Sequence, residues 1–180
     1  MENLYHYPLG ERFPEEASII VEIPKDSRNK YEYDATNGVI KLDRVLSSPL
    51  HYVCEYGFFP QTLAGDGDPA DVLVVMEEKT FPGCVIDVRP IGLLKMEDEK
   101  GEDYKILAVP VGDRRYAEIT QLDHMPPHLL LEIEHFFTVY KNLDGLYPSV
   151  SGWENERKAK EYLKICHETF KKVYASPANV

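Results

Sequence analysis

The hydrophobic period of this chain changes once, at Pro126-Pro127, and that change limits what it can fold into. Ahead of it, apolar residues come in short β-branched runs cut by Gly and Pro; behind it they recur at helical spacing. Residues 18–23 form a β-branched run closed by Pro24, a strand signal. Residues 30–34 and 39–44 flank Asn37-Gly38, a hairpin signal because both turn residues tolerate positive φ. In the first of these strands a period of two puts Lys30, Glu32 and Asp34 on one face and Tyr31 and Tyr33 on the other. Residues 72–76 predict a short buried strand. Residues 85–96 predict a longer one, bent at Pro90 and Gly92. A hairpin follows, with residues 97–103 turning about Gly101 and leading into 105–109. Proline suits the first turn of a helix, so Pro126-Pro127 opens one, with Leu130, Ile133, Phe137 and Tyr140 at helical spacing. After Gly145, Pro148 and Gly152 a second helix is expected over 153–174, its stripe being Ala159, Leu163, Cys166, Phe170 and Val173. Many short strands and then two helices in the C-terminal third predict a mainly β fold with flanking α, a barrel with helices outside it. At 180 residues the chain reads as a single domain over 1–180, with 1–17 an irregular lead-in carrying Pro8, Gly10 and Pro14.

Charge narrows the function classes. Thirty-one acids face 20 bases, a formal −11. Residues 151–180 hold six bases and four acids, so 14 bases and 27 acids, a net of −13, lie in residues 1–150. Phosphate backbones and anionic membrane surfaces are repelled by such a surface, whereas cations are drawn to it. Cys54, Cys84 and Cys166 are odd in number and widely spaced, which argues against a disulfide framework or a structural zinc site. No apolar run approaches the ~18 residues of a membrane span, and the N-terminus has no signal-peptide stretch. A soluble, cytoplasmic protein is expected.

The densest chemical signal is Gly65-Asp66-Gly67-Asp68-Pro69-Ala70-Asp71, running into an apolar strand. Three carboxylates within six residues repel one another unless some are protonated or a cation sits among them. Oxygen donors of this kind suit Mg²⁺ or Mn²⁺. A calcium EF-hand is excluded, because Ala70 and Asp71 stand where it needs an oxygen ligand and a glycine, and no helices flank the loop. Alone, an acidic turn before a strand accounts for the same residues. Asp98 and Asp103 bracket the next hairpin tip, with Lys105 on the face of Asp103. Glu22 lies inside an apolar strand and either meets solvent or lines a polar cavity. Arg44, Tyr52, Tyr56, Tyr140 and Lys141 complete the inventory, each also explicable as a surface cation or a core phenol. His124 and His128 have zinc-like spacing, but the prolines between them prevent helical alignment.

In combination these residues resemble the soluble family I inorganic pyrophosphatases. Asp66-Gly67-Asp68-Pro69-Ala70-Asp71-Val72 is similar to that family's signature. Around it, in the family's order, stand Ile20-Val21-Glu22-Ile23-Pro24, Lys30-Tyr31-Glu32, Asp43-Arg44, Tyr52 with Tyr56-Gly57, and Arg89-Pro90-Ile91-Gly92. Met96 with Asp98, Gly101-Glu102-Asp103 with Lys105, and His135-Phe136-Phe137 with Tyr140-Lys141 follow, and then Gly152-Trp153-Glu154. The resemblance spans residues 18–172 and is that of the compact prokaryotic type.

It implies a five-stranded, OB-like β-barrel and the hydrolysis of pyrophosphate to two phosphates. It implies Asp66, Asp71 and Asp103 as ligands of two resting Mg²⁺ ions, Mn²⁺ or another divalent ion being possible, with Asp98 joining for metal that arrives with substrate. Asp68 resembles the general base. Lys30, Arg44, Tyr56, Lys105, Tyr140 and Lys141 resemble phosphate-holding groups, with Tyr52 close by and Glu22 and Glu32 as further site carboxylates. A homohexamer is implied as well. The chemistry is self-consistent: two metals flanking a water bring its pKa from 15.7 toward ~7 and clamp an in-line displacement. Lys and Arg then stabilise charge on the leaving phosphate. The seven carboxylates and four bases of this set carry a formal −3, which two divalent ions convert to +1.

The rival expectations are a non-catalytic OB-type binding module and a phosphohydrolase for another small phosphoanhydride. The first needs a basic, aromatic groove, against the −13 of residues 1–150. For a nucleotide, the chain has no P-loop and no evident base-stacking motif.

Overall fold

The computed structural model describes residues 3–174; residues 1, 2 and 175–180 of the two ends lie outside the description. Nine strands and two helices follow in the order β1 (Ala17–Ile23), β2 (Asn29–Asp34), β3 (Val39–Val45), β4 (Glu55–Phe58), β5 (Asp71–Val74), β6 (Val85–Asp98), β7 (Gly101–Glu102), β8 (Lys105–Pro110), α1 (Pro127–Val139), β9 (Ser149–Asn155) and α2 (Glu156–Tyr174). The lead-in is irregular apart from a 3-10 turn at Leu4–His6.

Five strands close on themselves. β1 runs antiparallel to β4, β4 to β5, β8 to β6 and β6 back to β1, while β5 and β8 are parallel. Closure leaves these strands no free edge within the ring. This is the five-stranded, OB-like arrangement that the resemblance implied, with the helices outside it as the residue pattern predicted. The 14-residue β6 makes it possible. Its register with β8 shifts between Pro90 and Gly92, where a bend was expected. Its first residues pair with β1, and its far half with β7 and β9.

The seam between β1 and β4 is too tight for a side chain. A Cβ on Gly57 would lie 1.9 Å from the carbonyl oxygen of Ile20. Glycine is therefore required beside Tyr56, independently of any chemistry there.

Both faces of the ring strands are covered, and the period of two decides which residue goes where. Leu73, Leu107 and Val109 join Ile133, Phe136 and Phe137 of α1 in one cluster. Val72, Ile106 and Ala108 join Ala159, Leu163 and Cys166 of α2 in another. β8 is consequently buried at every position.

Four local expectations are corrected. α2 begins at Glu156 rather than Trp153, because residues 153–155 end β9, pairing Trp153 with Leu94 and Asn155 with Gly92. β4 and β9 carry too little local pattern to be read as strands and form because the sheet supplies their partners. Val173 leaves the α2 stripe and is 55% exposed. The β2–β3 hairpin forms as expected, but only Gly38 takes positive φ. Asn37 instead donates its side-chain amide to Asp34 Oδ2 at 2.7 Å, and Gly38 N–H reaches the Asp34 carbonyl at 2.7 Å.

Candidate active site

A cleft of about 430 Å³ lies between the β2–β3 hairpin, the loop before β5, the β6–β7 tip and the end of α1. Its lining holds nine carboxylates and five cationic side chains.

The acidic loop is shaped by its own backbone. Ala64 N–H donates to the Asp68 carbonyl at 2.7 Å, Asp68 N–H to Asp66 Oδ1 at 3.1 Å, and Gly67 sits at φ 92°. Below it Ala70 N–H donates to Thr62 Oγ1 at 2.9 Å, and Thr62 in turn donates to the Phe59 carbonyl at 2.6 Å. The loop is thereby fastened to the buried layer while Asp66 and Asp68 stay exposed. Asp71 then opens β5 as the register partner of Lys105 on β8.

Lys105 is 3% exposed and its ammonium bridges the carboxylates of Asp71 and Asp103. Burial disfavours its charge, yet those two carboxylates raise its pKa above the ordinary value. The ammonium also lies 5.6 Å from the Tyr56 ring centroid and 6.0 Å from that of Phe137. At the hairpin tip Asp98 accepts from Lys100 N–H at 2.8 Å and from Lys141 Nζ at 3.0 Å, while Glu99 pairs with Lys141 at 2.9 Å. These bonds outweigh burial and hold Asp98 below the usual carboxylate range. α1 delivers Tyr140 as its C-cap and Lys141 directly after, anchored by the stack of Tyr140 on Phe136 at 5.2 Å. On the opposite wall Lys30 and Arg44 are register partners of β2 and β3. Lys30 pairs with Glu32 and approaches Asp43 at 3.5 Å, and Arg44 Nε lies 3.3 Å from Asp43.

Three carboxyls are pushed upward. Burial takes Glu22 to about 8, although it accepts from Tyr33 N–H at 2.7 Å. Burial and then Asp66 raise Asp68; burial and the nearby Asp71 raise Asp103 against the pull of Lys105. Such upward shifts mark carboxyls whose charge is disfavoured first by burial and then by like-charged neighbours.

All the residues singled out in the sequence line this cleft except Tyr52. Tyr52 is 3% exposed and stands behind the lining, its ring 5.5 Å from that of Tyr56 and 5.0 Å from that of Phe136. It stands beside the site through Tyr56 rather than in the lining itself. The two readings of Glu22 resolve in favour of the cavity. Asp34, which shares a strand face with Lys30 and Glu32, is drawn into the hairpin turn instead. Tyr5, Tyr31, Tyr33, Asp43, Phe58, Pro69, Glu99 and Lys100 also line the cleft and were given no site role from the sequence. Asp43 and Glu99 could have been found from their neighbours Arg44 and Asp98; Tyr5 gave no signal at all.

The donor set fits a hard divalent cation, being oxygen throughout. Among the described residues no three His, Cys, Asp or Glu side chains already surround one point. Lys105 occupies the space between two of the acids. The formal surplus of four negative charges in the lining is what two divalent ions would neutralise.

Comparison with known proteins gives the same answer. Residues 19–171 match the family model described as inorganic pyrophosphatase. The chain is 57% identical over 147 residues to the inorganic pyrophosphatase of Methanosarcina acetivorans, covering 82% of this chain and 88% of that one. It is 46% identical to that of Haloferax volcanii, covering 97% of this chain and all of the other. The crystal structure of the Thermus thermophilus inorganic pyrophosphatase superposes with a TM-score of 0.92 at 44% identity, covering 94% of this chain and 99% of that chain. With the model matched from β1 well into α2, and the cleft's residues inside that stretch save Tyr5, the chain belongs to the inorganic pyrophosphatase family.

Proposed function

We propose that this member of the family hydrolyses pyrophosphate to two orthophosphates by direct attack of a metal-activated water, with the roles of its cleft residues as follows. Asp66, Asp71 and Asp103 would hold two divalent ions, with Asp98 joining them for metal that enters with substrate. Members of the family depend on a divalent metal, generally Mg²⁺. Bound there, such ions would supply a lowered pKa for the attacking water and positive charge beside the electrophile. Asp68 takes the water's proton. Its exposed position on a fastened loop leaves its carboxylate open to a water, and burial with Asp66 beside it raises its affinity for a proton. Lys30, Arg44, Lys141, Tyr56 and Tyr140 hold the phosphate oxygens, and Lys105, which bridges Asp71 and Asp103 here, would join them. Glu22 and Glu32 shape the outer acidic wall.

The observation that carries this reading is the mixture in the lining. Nine carboxylates alone would hold cations, and five cationic groups alone would hold anions; interleaved, they fit a metal–pyrophosphate complex. No serine, histidine or cysteine lines the cleft, so no Ser–His or Cys–His dyad stands there for a covalent route.

A phosphate-release assay on pyrophosphate with a series of divalent ions tests the reading. Turnover with Mg²⁺ that stops on chelation is expected. No turnover, with single-stranded DNA bound instead, would assign the cleft to a binding module. Release from nucleoside triphosphates rather than pyrophosphate would assign it to another phosphoanhydride. The family resemblance also supports a homohexamer, checked by light scattering as a mass six times the 20.7 kDa chain. A cytoplasmic location is likewise supported by the family and by the fact that no described helix is long and apolar enough to cross a membrane.

A further inference from the structure

The segment ahead of β1 lies outside the stretch matched by the family model, yet it reaches the cleft. Leu4–His6 forms a single 3-10 turn, capped by the Asn3 side chain, which accepts from Tyr5 N–H at 3.0 Å. The turn is tied to two walls of the site. Leu4 N–H donates to the Tyr33 hydroxyl at 2.9 Å, and the Tyr5 carbonyl accepts from Gln61 N–H at 2.7 Å. Tyr33 belongs to β2 and gives its own N–H to Glu22; Gln61 stands at φ 52° at the start of the loop that carries Asp66 and Asp68. The Tyr5 ring is wedged edge-on against Tyr33 and Phe58, at 5.2 Å from each. Its orientation is therefore set by packing rather than by its hydroxyl.

Tyr5 lines the cleft, and its phenol lies within the fields of Glu22, Asp68 and Glu32 of the same lining. Among the described residues no protein group is bonded to the Tyr5 hydroxyl, whereas Tyr33 and Tyr104 each have a hydroxyl partner. A phenol has an ordinary pKa of about 10, and burial with the nearby Glu22 and Asp68 raises this one further. It is a fixed donor at neutral pH, aimed into a cavity whose proposed occupant carries acceptor oxygens.

We propose that Tyr5 is a further substrate-positioning residue, its hydroxyl donating a hydrogen bond to a phosphate oxygen of the bound metal–pyrophosphate complex. The proposal rests on the pyrophosphatase reading above. It makes the N-terminal turn a part of the site rather than a leader to it.

Tyr5→Phe in the full chain tests this, because it keeps the ring contacts and removes only the hydroxyl. Phosphate release is measured over a magnesium pyrophosphate series for both proteins, together with their thermal midpoints. Loss of one neutral hydrogen bond predicts a KM raised about 3- to 10-fold, with kcat changed less than twofold and the midpoint unchanged. A wild-type KM in the variant overturns the proposal while leaving the pyrophosphatase reading intact. A raised KM with a lowered midpoint also overturns it, since the hydroxyl would then act on the fold. Wild-type protein that releases no phosphate overturns both.

Discussion

Asp71 and Lys105 face each other across the one parallel pairing in the strand ring, β5 against β8, and their side chains close an ion pair at the floor of the cleft. Lys105 is almost fully enclosed and reaches Asp103 as well. Removing it leaves two carboxylates close together with no counter-charge. Lys105→Met in a chelator is expected to lose about 3–5 kcal/mol of stability, read by urea unfolding. Excess Mg²⁺ should restore part of the loss. A variant as stable as wild type in chelator would show that the pair does not matter to the fold.

Asp68 is held in its loop through main-chain atoms, its carbonyl accepting from Ala64 N–H and its N–H donating to Asp66 Oδ1, so its carboxylate takes no part in fastening it. Asp68→Asn should keep the loop, and with it metal binding measured by calorimetry. The rate should fall by about 10²–10⁴-fold, the usual span for a lost general base. An undiminished kcat would remove Asp68 from that role.

The Glu22 carboxyl titrates at about 8 against a reference of 4.5, so the folded protein holds a proton that the unfolded chain releases. Its contribution is fully present below the unfolded value and is lost as pH rises through the folded one. In metal-free protein, Glu22→Gln should therefore gain stability relative to wild type as pH goes from 5 toward about 8. Denaturant midpoints at several pH values give the difference. A gap that is flat with pH would mean Glu22 is ionised throughout.

Gly57 tests the seam of the ring. A methyl group there would overlap the Ile20 carbonyl, which is main chain and cannot rotate away. Gly57→Ala is expected to cost about 1–3 kcal/mol or more, as overpacking does, measured by chemical unfolding. Activity should fall with it, since Tyr56 is displaced by the same shift. Unchanged stability would show that β1 and β4 can separate at no cost.

The N-terminal two-thirds could be read as strands because alternation and Gly/Pro punctuation are local properties. Residues 18–23 and 39–44 fall where β1 and β3 form. Gly57 shows the limit: nothing in Tyr56-Gly57 by itself tells that the Ile20 carbonyl will press against it. β4 and β9 escaped for the same reason, their strand character coming from the partners they find. Among site residues, Asp66 to Asp71 were legible because six consecutive residues carry the pattern. Tyr52 was legible only as a neighbour of the site, because a motif gives the neighbourhood of a phenol and not the direction of its ring.

What the sequence alone determined was composition of chemistry: acids and bases interleaved in a fixed order, in segments short enough that only a closed sheet could collect them. Which of these groups actually meet was decided by the tertiary structure. Asp71 meets Lys105 through register across 34 positions of sequence, and Lys141 meets Asp98 through the packing of α1. Tyr5 enters the cleft only because a 3-10 turn is tied to Tyr33 and Gln61. Side-chain type and spacing are carried along the chain, but Coulomb interaction and hydrogen bonding depend on distance in space. Those distances exist only once the ring has closed.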